Sequence, residues 1–291
     1  MHHVDDKELE MQTAGVVGLG VIGSRVAQCL QREGRLAAVY DLRSEAAAQA
    51  GVAAFSAPSP AELARRCNVV LIAVVNSAQA REVLSGEQGL LSQAHAELTV
   101  VLLSTVSLDD LEQLRCLVAA AGVDLVDCGV TGGSAVASKG LACLVGACDS
   151  SFTAVLPVLR SFSDTVLHMG GAGTGMKAKI VRNVIVYTTW RASCEAAALG
   201  RAAGVDLTML NAAIEASQAS IGSPLVWMAK GPATDAEVAA RETVATLLNK
   251  DLDAALALAD HVDVSLQITQ LTRRDARAVL GLEPLEPRHG G

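Results

Sequence analysis

Gly18-Leu19-Gly20-Val21-Ile22-Gly23 is the stretch that decides the fold of this chain. It lies between an apolar run, Ala14–Val17, and a helical pattern over residues 24–33. Gly-x-Gly-x-x-Gly in a strand–turn–helix setting marks a loop that cradles a dinucleotide pyrophosphate. Gly18 permits the tight turn, Gly20 lacks the Cβ that would block a phosphate, and Gly23 lets the helix pack close to the strand. The helix N-terminus adds N–H groups and a positive dipole end, with Leu19, Val21 and Ile22 completing the loop. A second strand, Leu36–Tyr40, ends in Asp41, 18 residues after Gly23. An acid there accepts both ribose hydroxyls of an adenosine and repels a 2′-phosphate. NAD is therefore the expected cofactor. Arg43 and Ser44, close behind, leave NADP possible.

The rest of the composition narrows the class. A chain of 291 residues has room for a sizeable core and about two domains. Apolar residues make up 51% and aromatics only 2%, so Ala, Val and Leu must fill the interior. The net charge of −8 and the lack of a basic cluster argue against nucleic acid as a partner. No uncharged apolar run is long enough to span a membrane. Residues 1–12 are polar and acidic, without the apolar segment of a secretion signal, and are expected to form a flexible tail. The 7 cysteines are odd in number and scattered, with no Cys-x-x-Cys, which fits small buried hydrophobes in a reducing cytoplasm. The 6 histidines are dispersed and suggest no metal site.

Residues 13–173 alternate apolar strands with helical patterns, as in a doubly wound, mainly parallel sheet. Strands are expected at Ala14–Gly18, 36–41, 69–75, 100–103, 124–128, 141–146 and 166–169. Residues 174–203 then read as one long helix, apolar nearly all round, linking two domains and packing against a partner subunit. Beyond it the pattern is helical only, over about 206–218, 222–230, 235–261 and 265–280. The expected fold is thus an N-terminal Rossmann-type α/β domain, an interdomain helix and a C-terminal all-α domain over 204–291 that serves substrate binding and oligomerisation.

Two further segments carry chemistry. Lys179 and Asn183 stand four apart, so one helix face presents both to one substrate. Alcohol oxidation needs a base for the hydroxyl proton. Lys is a poor one at its reference pKa of about 10.4, but burial and a helix N-terminus both lower that value. Lys177 points to another face. Thr131-Gly132-Gly133 follows an apolar strand; its two glycines free backbone N–H groups to meet an anion, and Thr131 adds a hydroxyl.

Four segments in order now resemble the β-hydroxyacid dehydrogenase family, typified by 3-hydroxyisobutyrate dehydrogenase. They are Gly18–Gly23, the run from Asp127 to Ser134, the run from Gly173 to Asn183, and Lys250-Asp251-Leu252. The resemblance implies that Lys179 is the catalytic residue and that Asn183 orients the substrate. It implies that Thr131, Gly132 and Gly133 hold a substrate carboxylate, with Thr131 in place of the family's usual Ser. By the same resemblance Val74 and Val75 line the cofactor, Thr105 lies beside the nicotinamide ribose, and Lys250 reaches the active site from the helical domain. The family also implies a homodimer or homotetramer built on the long helix, with the active site in a cleft between the domains. Arg182 stands where relatives often carry a second Asn. It either selects a second acidic group on the substrate or faces solvent, and solvent is slightly favoured. Thr243 stands where Phe is frequent, and Trp227 and Tyr187 shape the pocket or belong to the core.

The expected function is therefore reversible hydride transfer between a nicotinamide cofactor and the hydroxyl carbon of a small β-hydroxy acid, or semialdehyde reduction in reverse. The substrate bears a carboxylate. One alternative is a noncatalytic NAD(P)-binding sensor or scaffold, which has no use for Lys179. Another is decarboxylation in the manner of 6-phosphogluconate dehydrogenase. That enzyme's similar helix carries His where Arg182 stands and an acid where Val186 stands. Imine reductases, also related, normally replace the lysine.

Overall fold

The structure is a computed structural model and describes residues 12–132, 140–218 and 232–283. Two compact units divide the chain between Asn183 and Val184.

In the first unit, strands β1 (Ala14–Val17), β2 (Leu36–Tyr40), β3 (Val69–Ile72), β4 (Thr99–Leu102), β5 (Asp124–Thr131), β6 (Ala142–Gly146) and β7 (Thr165–Gly170) form one sheet, ordered β2-β1-β3-β4-β5-β6-β7. All neighbours are parallel except β5 and β6, which run antiparallel. The chain leaves β1 for β2 on one side and returns to β3 on the other. That reversal is the switch point at which open α/β sheets bind ligands, beyond the carboxyl ends of the strands. Helices α1 (Val21–Arg32), α2 (Ala46–Gln49), α3 (Pro60–Arg66), α4 (Ser77–Ser85), α5 (Leu108–Ala119) and α6 (Asp149–Leu159) connect the strands. The long α7 (Thr174–Ala202) follows.

Strand residues alternate between two apolar layers. Val16, Leu71, Val101 and Val126 pack with Leu30 of α1 and Val155 of α6. Val17, Ile72, Val100 and Leu102 pack with Leu63 of α3, Leu84 of α4 and Leu114 of α5. Burial on both faces explains why the strands read as nearly continuous apolar runs.

The alternation along β5 matters most. Val126, Cys128 and Val130 join the first layer, and Leu125 joins the second. With a period of two, Asp127, Gly129 and Thr131 share the face of Leu125. Met176, near the start of α7, is buried in that same layer. Asp127 is 0% exposed. Its two carboxylate oxygens accept the amide N–H groups of Gly173 (2.5 Å) and Met176 (2.7 Å). A carboxylate thus satisfies two of the orphan donors at the start of a 29-residue helix and meets its positive end. Glycines make the approach possible. A Cβ on Gly129 would lie 2.5 Å from the Lys179 Cβ, and one on Gly146 would lie 2.6 Å from an Asp127 oxygen. A Cβ on Gly175 would run into the carbonyl oxygen of Leu144.

Several boundaries differ from expectation. The strand expected over 69–75 ends at Ile72 because the next amides leave the ladder: Val74 N–H donates to Ser104 Oγ (2.9 Å) and Val75 N–H to Gln79 Oε1 (3.0 Å). The strand expected to end at Cys128 runs to Thr131, since antiparallel pairing with β6 extends to Thr131 opposite Ala142. Thr131 is therefore a strand residue and not part of a loop.

The second unit contains the rest of α7 with α8 (Leu207–Gln218), α9 (Asp235–His261), α10 (Gln267–Arg274) and α11 (Ala276–Val279). The helix expected over 265–280 is broken at Asp275, which leaves helical backbone geometry (φ −100°, ψ 23°). Buried Glu195 accepts the N–H groups of Ile268 (2.8 Å) and Thr269 (3.1 Å) at the start of α10. Buried Arg241 donates to the Leu280 carbonyl (2.9 Å). The helix expected over 222–230, with Trp227, lies outside the described residues, as do residues 1–11 of the expected tail. Among the described residues no helix is long and apolar enough to cross a membrane.

Asp127→Ala leaves two buried amides without an acceptor, at about 1–3 kcal/mol each. Urea titration is expected to show a loss of roughly 3 kcal/mol. A loss below about 0.5 kcal/mol, the size of an ordinary surface substitution, would refute the capping role.

Candidate functional site

Five parallel strands, β1 to β5, end on one edge of the sheet, and Gly18, Gly20, Asp41, Val74, Val75, Thr105 and Thr131 lie at or just beyond those ends. Gly18 follows β1 with φ +89°, a left-handed conformation that only glycine adopts freely. A Cβ there would also lie 2.5 Å from the Ala73 carbonyl oxygen. A Cβ on Gly23 would collide with the Gly18 carbonyl oxygen, so the tight helix–strand contact demands glycine. Gly20 is different: a Cβ there meets nothing within 4 Å. The protein itself gives no steric reason for glycine at this position. A phosphate drawn to the N-terminus of α1 does, and the fingerprint loop therefore fits a dinucleotide.

A cleft of about 540 Å³ opens beside the loop, lined by Gly18, Gly20, Asp41, Arg43, Val74 and Val75 among others. Leu42 and Val75, 80% and 82% exposed, supply apolar walls to which a planar base can be apposed. Leu19 and Gly23 are buried, and Ile22 packs on the core. Val21 is exposed at the start of α1. These four shape the loop and do not line the cleft. Sequence reading had not singled out Leu42, Gln79 or Glu82, which also line it.

Asp41 is already engaged. One oxygen accepts the Leu19 N–H (2.7 Å); the other accepts the Arg43 N–H (2.9 Å) and Nε (3.0 Å). Burial alone would raise its pKa, but the hydrogen bonds and charge of Arg43, together with the Leu19 amide, hold the carboxyl below its usual range. The Arg43 guanidinium also reaches the Leu19 carbonyl (3.2 Å). The acid expected to read the ribose thus shares its place with a cation suited to a phosphate.

Further along the edge, the Ser104 hydroxyl donates to the Val74 carbonyl (2.7 Å) and accepts the Val74 N–H, tying the ends of β3 and β4 together. Thr105 is exposed just beyond. At the end of β5 the Thr131 hydroxyl oxygen is buried and, among the described residues, has no hydrogen-bond partner. Leaving such a group unpaired costs about 1–3 kcal/mol. Gly132 takes φ +109°. Gly133 lies outside the described residues.

Lys179 projects from the α7 face that packs on Gly129. It is half-buried, whereas Lys177 is exposed. Burial lowers the Lys179 pKa, and the like charge of Arg182 lowers it further. Burial pushes the Asp127 carboxyl up, and the Gly173 and Met176 amides offset part of that shift. Arg182 is half-buried, and its guanidinium lies 3.4 Å from Asn183 Oδ1. Lys250 lies on α9 in the second unit.

Gly20→Ala is expected to leave the melting temperature within about 2 °C of the parent, since the new methyl group meets only solvent. NADH binding, followed by fluorescence, should weaken at least tenfold. Unchanged NADH affinity would remove Gly20 from the cofactor contact.

Comparison with known proteins supports the same assignment. Residues 13–171 match the model of the NAD binding domain of 6-phosphogluconate dehydrogenase. Residues 173–281 match that of the NAD-binding region of NADP-dependent 3-hydroxyisobutyrate dehydrogenase. An uncharacterised oxidoreductase of Mycobacterium tuberculosis is 29% identical over 279 residues, covering 94% of this chain and 95% of its own. An L-threonate dehydrogenase of Cupriavidus necator is 35% identical over 195 residues, 66% of each chain. The crystal structure of a putative oxidoreductase from Mycobacterium avium superposes with a TM-score of 0.83 at 31% identity, covering 93% of this chain and 99% of the other. With both family models spanning the fingerprint loop, the Asp127 strand and the Lys179 helix, the chain belongs to the β-hydroxyacid dehydrogenase family.

Proposed function

We propose that this protein oxidises the hydroxyl group of a small β-hydroxy acid, or reduces the corresponding semialdehyde, with Lys179 as the proton-transferring residue. The observation that carries the reading is the placement of Lys179: half-buried, packed against Gly129, with its pKa lowered by burial and by Arg182. A bound nicotinamide cofactor supplies the hydride acceptor for oxidation and the donor for reduction. The neutral Lys179 amine accepts the hydroxyl proton as the carbinol C–H bond breaks and the carbonyl forms. In the reverse direction its ammonium returns that proton. The Thr131 hydroxyl, the Gly132 and Gly133 amides and Asn183 orient the substrate through its carboxylate and hydroxyl oxygens. A substrate oxygen on Thr131 would satisfy a buried hydroxyl that has no hydrogen-bond partner among the described residues. A noncatalytic sensor would need neither the lowered lysine nor that hydroxyl.

The cofactor proposed is NAD, with NADP admitted. Asp41 repels a 2′-phosphate, and its pairing with Arg43 at 3.0 Å weakens that repulsion. The same proposal includes a homodimer or homotetramer built on α7, on which Val181 and Ile185 are exposed. Light scattering that finds only a 30 kDa-class particle would remove that part.

Lys179→Ala is expected to lower kcat by about 10²–10⁴-fold with NADH affinity preserved. Wild-type turnover in this variant would defeat the mechanism. Oxidation needs the neutral amine, so kcat should rise with pH and level off through a pKa below the ordinary lysine value of about 10.4. A pH profile with no such limb removes Lys179 as the base. For cofactor choice, kcat/KM with NAD should exceed that with NADP. Asp41→Asn should move the ratio toward NADP and Arg43→Ala away from it. Equal ratios in all three proteins would show that this pair does not read the ribose.

A further inference from the structure

We propose that Arg182 selects a substrate with a second anionic group, so that the preferred β-hydroxy acid is a dianion and not a simple monocarboxylate. The inference rests on the β-hydroxy acid reading above and names its substrate class. It begins from an imbalance of charge. Lys179 and Arg182 stand three apart on α7, where side chains are neighbours and like charges repel. Both are half-buried. No acid occurs on α7 from Thr174 until Glu195, whose carboxylate is spent on the amides of Ile268 and Thr269. Among the described residues no carboxylate forms an ion pair with Arg182, and its polar neighbour is the Asn183 amide oxygen at 3.4 Å. Two partly dried cations with no counter-ion among the described residues leave a net positive site at the carboxyl edge of the sheet.

A monocarboxylate does not use all of it. Its hydroxyl meets Lys179 and its carboxylate meets Thr131 and Gly132, at the end of β5. The Arg182 guanidinium, a planar fork of five donors that matches carboxylate and phosphate, is left over. Asn183 lies beside it, with its Oδ1 3.4 Å from the guanidinium. Side chains three apart on a helix have Cβ atoms about 5–6 Å apart. A zigzag carbon chain advances about 1.25 Å per bond of about 1.5 Å, so four or five bonds span that distance. A far carboxyl four bonds from the carbinol carbon has a comparable reach.

The test compares kcat/KM, at saturating NAD, for 2-(hydroxymethyl)glutarate, for the analogue with its far carboxyl converted to the neutral amide, and for the analogue with a phosphonate there. The wild-type protein should favour either dianion over the amide by about 10- to 100-fold, as a charge-assisted contact implies. The carboxylate-to-phosphonate ratio tells which anion is meant. Arg182→Gln should bring the dianion-to-amide ratio close to one, and Arg182→Lys should keep part of it. A wild-type ratio near one, or an unchanged ratio in Arg182→Gln, overturns the inference while leaving the dehydrogenase reading intact. If none of these acids is oxidised, it is that reading which fails. Thermal melting with NAD and the unreactive 2-methylglutarate or its amide then decides the inference. Preferential stabilisation by the dianion, lost in Arg182→Gln, supports it, and equal stabilisation overturns it.

Discussion

The approach of α7 to β5 is the constraint on which the rest of the first unit depends. A buried carboxylate, Asp127, holds the first amides of the helix at 2.5 and 2.7 Å. Placing a charge at 0% exposure is costly unless it is hydrogen-bonded. Here the cost is offset because the helix itself has orphan donors to satisfy and a positive end to neutralise. Glycines at 129, 146 and 175 then remove the side chains that would hold the two elements apart. The consequence is positional. With its first turn fixed to Asp127, α7 carries Lys179 onto Gly129, on the face of β5 that Thr131 also shares.

The same anchoring sets the electrostatics. Lys179 is drawn out of water by packing on the sheet, and burial is the larger cause of its lowered pKa. Arg182 adds to the shift from one turn away. A lysine made more basic by an acidic neighbour would be a poorer proton acceptor near neutral pH. Asp127, the described buried acid on this face of β5, instead turns both oxygens to the helix amides.

Much of this was legible in the sequence because the glycine fingerprint, Asp41 and the alternating apolar runs each answer to a local rule. Gly18 and Gly23 have the turn and the close packing expected of them, and Gly20 has open space beside it. The α/β order and the long helix follow from periodicity. What was not legible depends on contacts between distant residues. Asp127 meets Gly173 and Met176, 46 and 49 positions away, and nothing in its own neighbourhood announces a cap. A lone acid inside an apolar strand was the available signal, since such an acid must find donors. The strand end at Thr131 was placed too early because Gly132 and Gly133 read as a loop, while β6 pairs with the strand further along. Val74 and Val75 were read as strand because they are apolar. Side-chain acceptors on Ser104 and Gln79 take their amides instead.

Two features of the edge have no reason among the described residues of the protein. Gly20 has space for a side chain and carries none. Thr131 has a hydroxyl in a buried position with no described partner. Each is unfavourable or neutral for folding alone, the first through lost chain stiffness and the second through an unmade hydrogen bond. They stand at the ends of β1 and β5, three strand spacings or about 14 Å apart along one edge. Features that folding does not explain are accounted for by what binds. A phosphate explains the absent Cβ, and an oxygen of a carboxylate or hydroxyl explains the unpaired donor. The distance between them calls for a ligand set that runs along the edge. A dinucleotide lying from Gly20 past Val74 toward Lys179, with a small acid at Thr131, meets both requirements at once. A ligand confined to either end leaves one of them unexplained.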